Sequence, residues 1–116
     1  MGQLTTHILD TASGRPAAGV AVRLFRRNDI PTLCAETTTN SDGRCAHPLL
    51  SGDEFLPGTY ELEFSIGAYF AAHTGRESDP PFLDEVVIRF SIADSDQHYH
   101  VPLLVTPWSY TTYRGS

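Results

Sequence analysis

The sequence predicts an all-β protein, a sandwich of about eight short strands with one short helix. Three observations predict it: apolar residues recurring with period two, turn-forming residues between those runs, and only one segment with helical character. Tyr60, Leu62, Phe64 and Ile66 alternate with Glu61, Glu63 and Ser65, the pattern of a half-buried antiparallel strand. Val86, Ile88, Phe90 and Ile92 repeat it, as do Val20, Val22 and Leu24, and Tyr99, Val101, Leu103 and Val105. Weaker strand signals cover residues 4–9, 33–39, 44–49 and 110–114. Between these runs stand Ser13-Gly14-Arg15-Pro16, Asn40-Ser41-Asp42-Gly43, Leu56-Pro57-Gly58 and Ala93-Asp94-Ser95-Asp96, all rich in residues that favour turns. Residues 67–74 read as the helix, with Gly75 as its C-terminal cap.

At 116 residues the chain is expected to form a single domain, residues 1–116, with no repeat or linker. No apolar run approaches the ~18 residues of a membrane span. The first residues lack a basic region followed by an apolar one, so the expected location is cytoplasmic. Eight basic against fourteen acidic residues leave a formal charge of −6, which disfavours nucleic acid and anionic lipid as partners. Every basic residue is Arg, which excludes Schiff-base lysine chemistry. Cys34 and Cys45 do not make a disulfide scaffold and are expected to be reduced thiols.

Chemistry-bearing residues lie on the strands. If Leu4, Thr6 and Ile8 face the core, His7 faces outward beside Thr5 and Leu9. If Tyr99, Val101 and Leu103 face the core, His98 and His100 face outward, and Leu104 makes that face partly apolar. Such a face suits a shared cavity better than bulk water. Two chemistries fit it. A His-x-His pair can supply two metal ligands, with His7, His47 or a cysteine needed to complete the set. Alternatively, an imidazole that titrates near neutrality activates water directly. Arg44 leaves the Asp42-Gly43 turn and could grip a carbonyl or carboxylate oxygen. His47 and His73 have no supporting context. The ending Tyr110-Thr111-Thr112-Tyr113-Arg114-Gly115-Ser116 is β-prone and aromatic, unlike a frayed tail, and a carboxylate at Ser116 could meet an arginine or histidinium.

Taken together, these segments resemble the transthyretin-related proteins, the 5-hydroxyisourate hydrolases. The resemblance is carried by residues 4–10 (Leu-Thr-Thr-His-Ile-Leu-Asp) with Gly14-Arg15-Pro16-Ala17, by residues 98–104 (His-Tyr-His-Val-Pro-Leu-Leu), and by the final Tyr113-Arg114-Gly115-Ser116. The last tetrapeptide is its most specific piece and separates the hydrolases from transthyretin, the hormone carrier. The resemblance implies a transthyretin-like eight-stranded sandwich assembled as a homotetramer, a dimer of dimers. It implies His7, Arg44 and His100 as the catalytic set, with His98, Tyr113, Arg114, Gly115 and Ser116 binding substrate. The implied reaction is hydrolysis of 5-hydroxyisourate without cofactor or metal, with His7 as base and His100 assisting, or the two exchanged. A carrier of small aromatic ligands is the alternative. Trp108, where a smaller aromatic is common, and Leu83-Asp84, in place of an aromatic-Pro step, depart from the family pattern away from the matched positions.

Overall fold

Alternating apolar residues need a second apolar surface to cover them, and here two sheets cover each other. The computed structural model describes residues 2–73 and 79–116. One sheet is built on β1 (Gln3–Asp10), which is flanked by β8 (Tyr99–Val105) and the two-residue β2 (Arg15–Pro16). The short β5 (Leu50–Ser51) also pairs with β1, and β9 (Tyr110–Thr112) closes the far edge beside β8. The other sheet runs β4 (Thr32–Thr38), β3 (Ala21–Arg26), β6 (Gly58–Ser65), β7 (Glu85–Ile92). All strand pairs are antiparallel except β1 with β8, which is parallel.

The inward residues are those the period-two pattern selects. Leu4, Ile8, Leu103 and Val105 of the first sheet join Val22, Leu24, Tyr60, Leu62 and Phe64 of the second in one buried cluster. Strand β7 is an edge, so its Ile88 and Phe90 are only partly buried while Val86 and Ile92 are buried. The second sheet's outer face is charged. Arg23 pairs with Glu63 (2.9 Å) and Glu85 (3.2 Å), and Arg89 with Glu61 (2.7 Å). These pairs are open to water and add little stability.

Helix α1 (Ile66–His73) follows β6 directly, so Ile66 begins the helix instead of ending the strand. Thr74 and the expected cap Gly75 lie outside the described residues. Residues 44–49 do not form the expected strand: Arg44 makes a single bridge to His7, and the chain leaves the sheet until Leu50. Pro48 has no N–H to continue a ladder there. Cys34 and Cys45 are separate free thiols, and burial pushes the Cys45 thiol up.

A buried carboxylate ties the helix to the end of β1. Asp10 is 2% exposed, and its Oδ1 accepts from the N–H groups of Ala12 and Ser13, both at 3.0 Å. Its Oδ2 accepts from the Tyr69 hydroxyl at 2.8 Å. Burial, then the hydrogen bond and charge of Asp10, push the Tyr69 phenol up to about 12. A bond to a buried charged acceptor contributes about 1.5–3 kcal/mol. Tyr69→Phe should therefore lower unfolding free energy by about that amount, read as a lower denaturant midpoint at unchanged slope.

Candidate active site

The parallel pairing of β1 and β8 builds the site. Side chains alternate across a strand, so with Leu4, Thr6, Ile8 and Asp10 inward, Gln3, Thr5, His7 and Leu9 lie half-buried on the outer face. On β8, Tyr99, Val101 and Leu103 are buried inward and His100 lies outward, as expected. The register sets Thr5 opposite His100 and His7 opposite Pro102, which makes His7 and His100 diagonal neighbours on one face. His98 is exposed and precedes β8.

Arg44 reaches this face through a pinned turn. Asn40 Oδ1 accepts from the N–H groups of Asp42 (2.9 Å) and Arg44 (3.2 Å), and Asn40 N–H donates to the Arg44 carbonyl (2.8 Å). Gly43 has φ +74°, and a Cβ there would collide with the Ile8 carbonyl oxygen, so only glycine lets the turn lie against β1. Ile8 N–H donates to the Gly43 carbonyl at 2.8 Å. The His7 ring joins the same turn, with Nε2 2.9 Å from the Asp42 carbonyl oxygen. A carbonyl only accepts, so Nε2 carries the proton and Nδ1 is the free nitrogen of neutral His7.

The tail closes the opposite side. Gly115 N–H donates to the His100 carbonyl (2.7 Å), and His100 N–H donates back to the Gly115 carbonyl (3.3 Å). A Cβ at Gly115 would sit 3.1 Å from His100 Cδ2, so the tail packs directly on the imidazole.

The result is a cavity of about 470 Å³ lined by Gln3, Thr5, Arg44, His98, His100 and Ser116. A second hollow of about 220 Å³ shares Gln3, Thr5 and Arg44 with it and extends to Cys45 and His47. Of the expected site residues, Arg44, His98, His100 and Ser116 line the cavity. His7 stands at its margin against the turn, and Gly115 backs His100. Tyr113 is 60% exposed. Arg114 is turned away: its guanidinium donates to Gln97 Oε1 (2.9 Å) and to the His98 carbonyl (3.1 Å), and lies 4.2 Å from the buried Tyr99 ring. Sequence reasoning did not single out Gln3 and Thr5, although they share the period-two parity of His7 and could have been found by it. Among the described residues, no group of three or more His, Cys, Asp or Glu side chains is placed to hold a metal ion.

Burial, then the positive charge of Arg44, then His7, hold His100 below the ordinary histidine range. The ring is therefore neutral at neutral pH and becomes cationic only as pH falls through the lowered value. The guanidinium of Arg44 has no hydrogen bond or ion pair to the described residues and stays free for a ligand oxygen.

A small sandwich with imidazoles and a free guanidinium around one cavity is a hydrolase-like variant of the transthyretin architecture. The chain belongs to the HIUase/Transthyretin family, whose model matches residues 4–115. It is 52% identical over 117 residues to the 5-hydroxyisourate hydrolase of Pseudomonas aeruginosa, covering 100% of this chain and 93% of that protein. The crystal structure of (S)-allantoin synthase superposes with a TM-score of 0.94 at 48% identity, covering 99% of this chain but 44% of that longer one. The 5-hydroxyisourate hydrolase of Klebsiella pneumoniae superposes with a TM-score of 0.82 at 40% identity, with both chains fully covered.

Removing the guanidinium by Arg44→Gln should raise the His100 titration midpoint, measured by histidine NMR. His7→Gln should raise it by less, since Arg44 is the stronger of the two charges acting on the ring.

Proposed function

We propose that this chain is a 5-hydroxyisourate hydrolase. It opens the six-membered ring at an amide-like carbonyl to give 2-oxo-4-hydroxy-4-carboxy-5-ureidoimidazoline, a step in urate degradation. The observation that carries this reading is the cavity lined by both His100 and Arg44, whose guanidinium makes no hydrogen bond or ion pair to the described residues.

The reaction needs a water made nucleophilic, a positive group at the developing oxyanion and a proton for the leaving nitrogen. A neutral imidazole suits the first task, and His100 lines the cavity whereas His7 stands at its margin, which favours His100 as base over the opposite assignment. General-base catalysis typically contributes about 10²–10⁴-fold. Arg44, on a turn fixed by Asn40 and Gly43, holds the carbonyl oxygen as negative charge grows on it, and preorganised charge of this kind often outweighs the proton-transfer contribution. The imidazolium formed at His100 returns that proton to the leaving nitrogen, and His7, anchored through Nε2, assists with its unprotonated Nδ1 as a hydrogen-bond acceptor. His98, Tyr113, Arg114, Gly115 and Ser116 complete the proposed substrate-binding set. Arg114 acts in it by bracing the His98 carbonyl, and Gly115 by packing on His100.

The reading extends to the assembly and setting. The half-buried outer face of the β1 sheet and the exposed Tyr110 on edge strand β9 suit self-association, so the proposed active form is a homotetramer, a dimer of dimers. Among the described residues no helix is long and apolar enough to cross a membrane, and the proposed location is cytoplasmic. The proposed catalyst is the single 116-residue domain, with no metal or cofactor.

Decay of freshly generated 5-hydroxyisourate, followed by absorbance, tests the assignment. His100→Ala, Arg44→Ala and His7→Ala should each fall at least about 100-fold, the scale of a lost acid–base or electrostatic group. His73→Ala, on the helix, should keep its rate. A wild-type rate no faster than spontaneous decay would defeat the assignment. In a second measurement, wild-type activity should survive chelation and dialysis; loss that zinc restores would replace the metal-free mechanism.

A further inference from the structure

We propose that Thr5 is a positioning residue for His100: its hydroxyl accepts a hydrogen bond from Nδ1–H and leaves Nε2 facing the cavity as the unprotonated nitrogen. The inference rests on His100 acting as the base. Thr5 Oγ1 lies 2.8 Å from His100 Nδ1, between residues 95 positions apart. That contact is the one side-chain hydrogen bond Thr5 makes to the described residues, and His100 Nε2 makes none. Both side chains line the cavity from directly paired positions of β1 and β8. A β-branched threonine has few χ1 choices, so the parallel ladder delivers its hydroxyl to a set place. Which imidazole nitrogen carries the proton is decided by the partner of the other one.

The chemistry of the partner matters as much as its position. In a serine-protease triad a carboxylate holds the corresponding nitrogen and stabilises the imidazolium. Among the described residues no carboxylate side chain lines this cavity. The charged and titratable groups around His100 are His7 on β1, Arg44 at the exit of the turn, His98 just before β8, and the terminal carboxylate at Ser116, which shares the cavity. A hydroxyl orients the ring without adding a negative charge, so the base stays neutral beside Arg44. During hydrolysis one proton of the attacking water moves to Nε2 as the water oxygen bonds to the carbonyl carbon and the carbonyl π pair moves onto its oxygen beside Arg44. That pair then re-forms the carbonyl as the C–N bond breaks, and the Nε2 proton passes to the leaving nitrogen. The Nδ1 proton stays on Nδ1, hydrogen-bonded to Thr5, throughout.

The test combines ¹⁵N-histidine NMR of the ligand-free protein with steady-state kinetics on wild type, Thr5→Val and Thr5→Ser. In wild type at neutral pH, His100 should show protonated Nδ1 and unprotonated Nε2. Thr5→Val should lose that tautomer preference and lower kcat by about 10- to 100-fold, the scale for removing an outer-shell partner of a functional imidazole, with KM little changed. Thr5→Ser should restore both the tautomer and most of kcat. The proposal is overturned by a wild-type Nε2–H tautomer, by Thr5→Val with wild-type kcat and spectrum, or by failure of Thr5→Ser to restore a folded protein's activity. If Thr5→Val does not fold, the wild-type tautomer and the Thr5→Ser rate still decide. Failure of the wild type to hydrolyse 5-hydroxyisourate would defeat the functional assignment, whereas the NMR result bears on Thr5 alone.

Discussion

Seven consecutive residues of β1 pair in parallel with seven of β8, and the site exists because of that ladder. It joins segments about 95 positions apart, and its register decides which side chains share a face. A slip by one residue would move every side chain of one strand to the opposite face, carrying an imidazole into the core. The register is held from the buried side. Leu4, Ile8 and Leu103 are fully buried, and the Thr6 hydroxyl, 2% exposed, donates to the Val101 carbonyl at 2.6 Å. A misregistered ladder would bury that hydroxyl without its acceptor, at a cost of about 1–3 kcal/mol beyond the lost packing.

The two imidazoles are restrained by the same logic on opposite sides of the face. Each has one nitrogen committed to a fixed oxygen, the Asp42 carbonyl for His7 and the Thr5 hydroxyl for His100, and one nitrogen without a partner among the described residues. Each stands where a foreign segment comes close through a glycine: Gly43 against Ile8 and Gly115 against His100. A Cβ at Gly43 would push the turn away from the sheet, and one at Gly115 would crowd the His100 ring at 3.1 Å, so the glycines set how closely both segments approach.

Much of the fold was legible in sequence because most strands have one wet and one dry face. That contrast writes period two into β1, β3, β6, β7 and β8. Strands β2 and β5 left no such trace: two residues are too few for a period, and their pairing is a consequence of where β1 lies. Residues 44–49 misled for a related reason, since a bridge at Arg44 and a proline at 48 break what looked like an extended run. In the site, the outward parity of His7 and His100 was readable, whereas their proximity required the β1–β8 register. No local feature marked Arg44 above Arg89; the family resemblance marked it, and the Asn40–Gly43 turn explains it. The division of labour in the tail was illegible as well. Arg114 and Ser116 are two residues apart, yet one guanidinium lies on Tyr99 while the other residue lines the cavity. That difference depends on the single bridge at Gly115.

The charge distribution leaves the guanidinium of Arg44 available. The chain is acidic, with a formal charge of −6, and Arg23 and Arg89 on the second sheet are matched to Glu63, Glu85 and Glu61. Arg44 instead shares its cavity with imidazoles, and among the described residues no carboxylate side chain lines that cavity. Placing a cation beside a partly desolvated imidazole disfavours the imidazolium, and so depresses the pKa of His100. In the proposed mechanism that penalty is useful in both directions. It keeps the ring neutral when it must accept a proton from water, and it makes the imidazolium, once formed, a stronger acid toward the departing nitrogen. In the proposed mechanism Arg44 thus acts on the oxygen by attraction and on the proton by repulsion, and a carboxylate at the place of Thr5 would weaken the second effect by stabilising the charged ring.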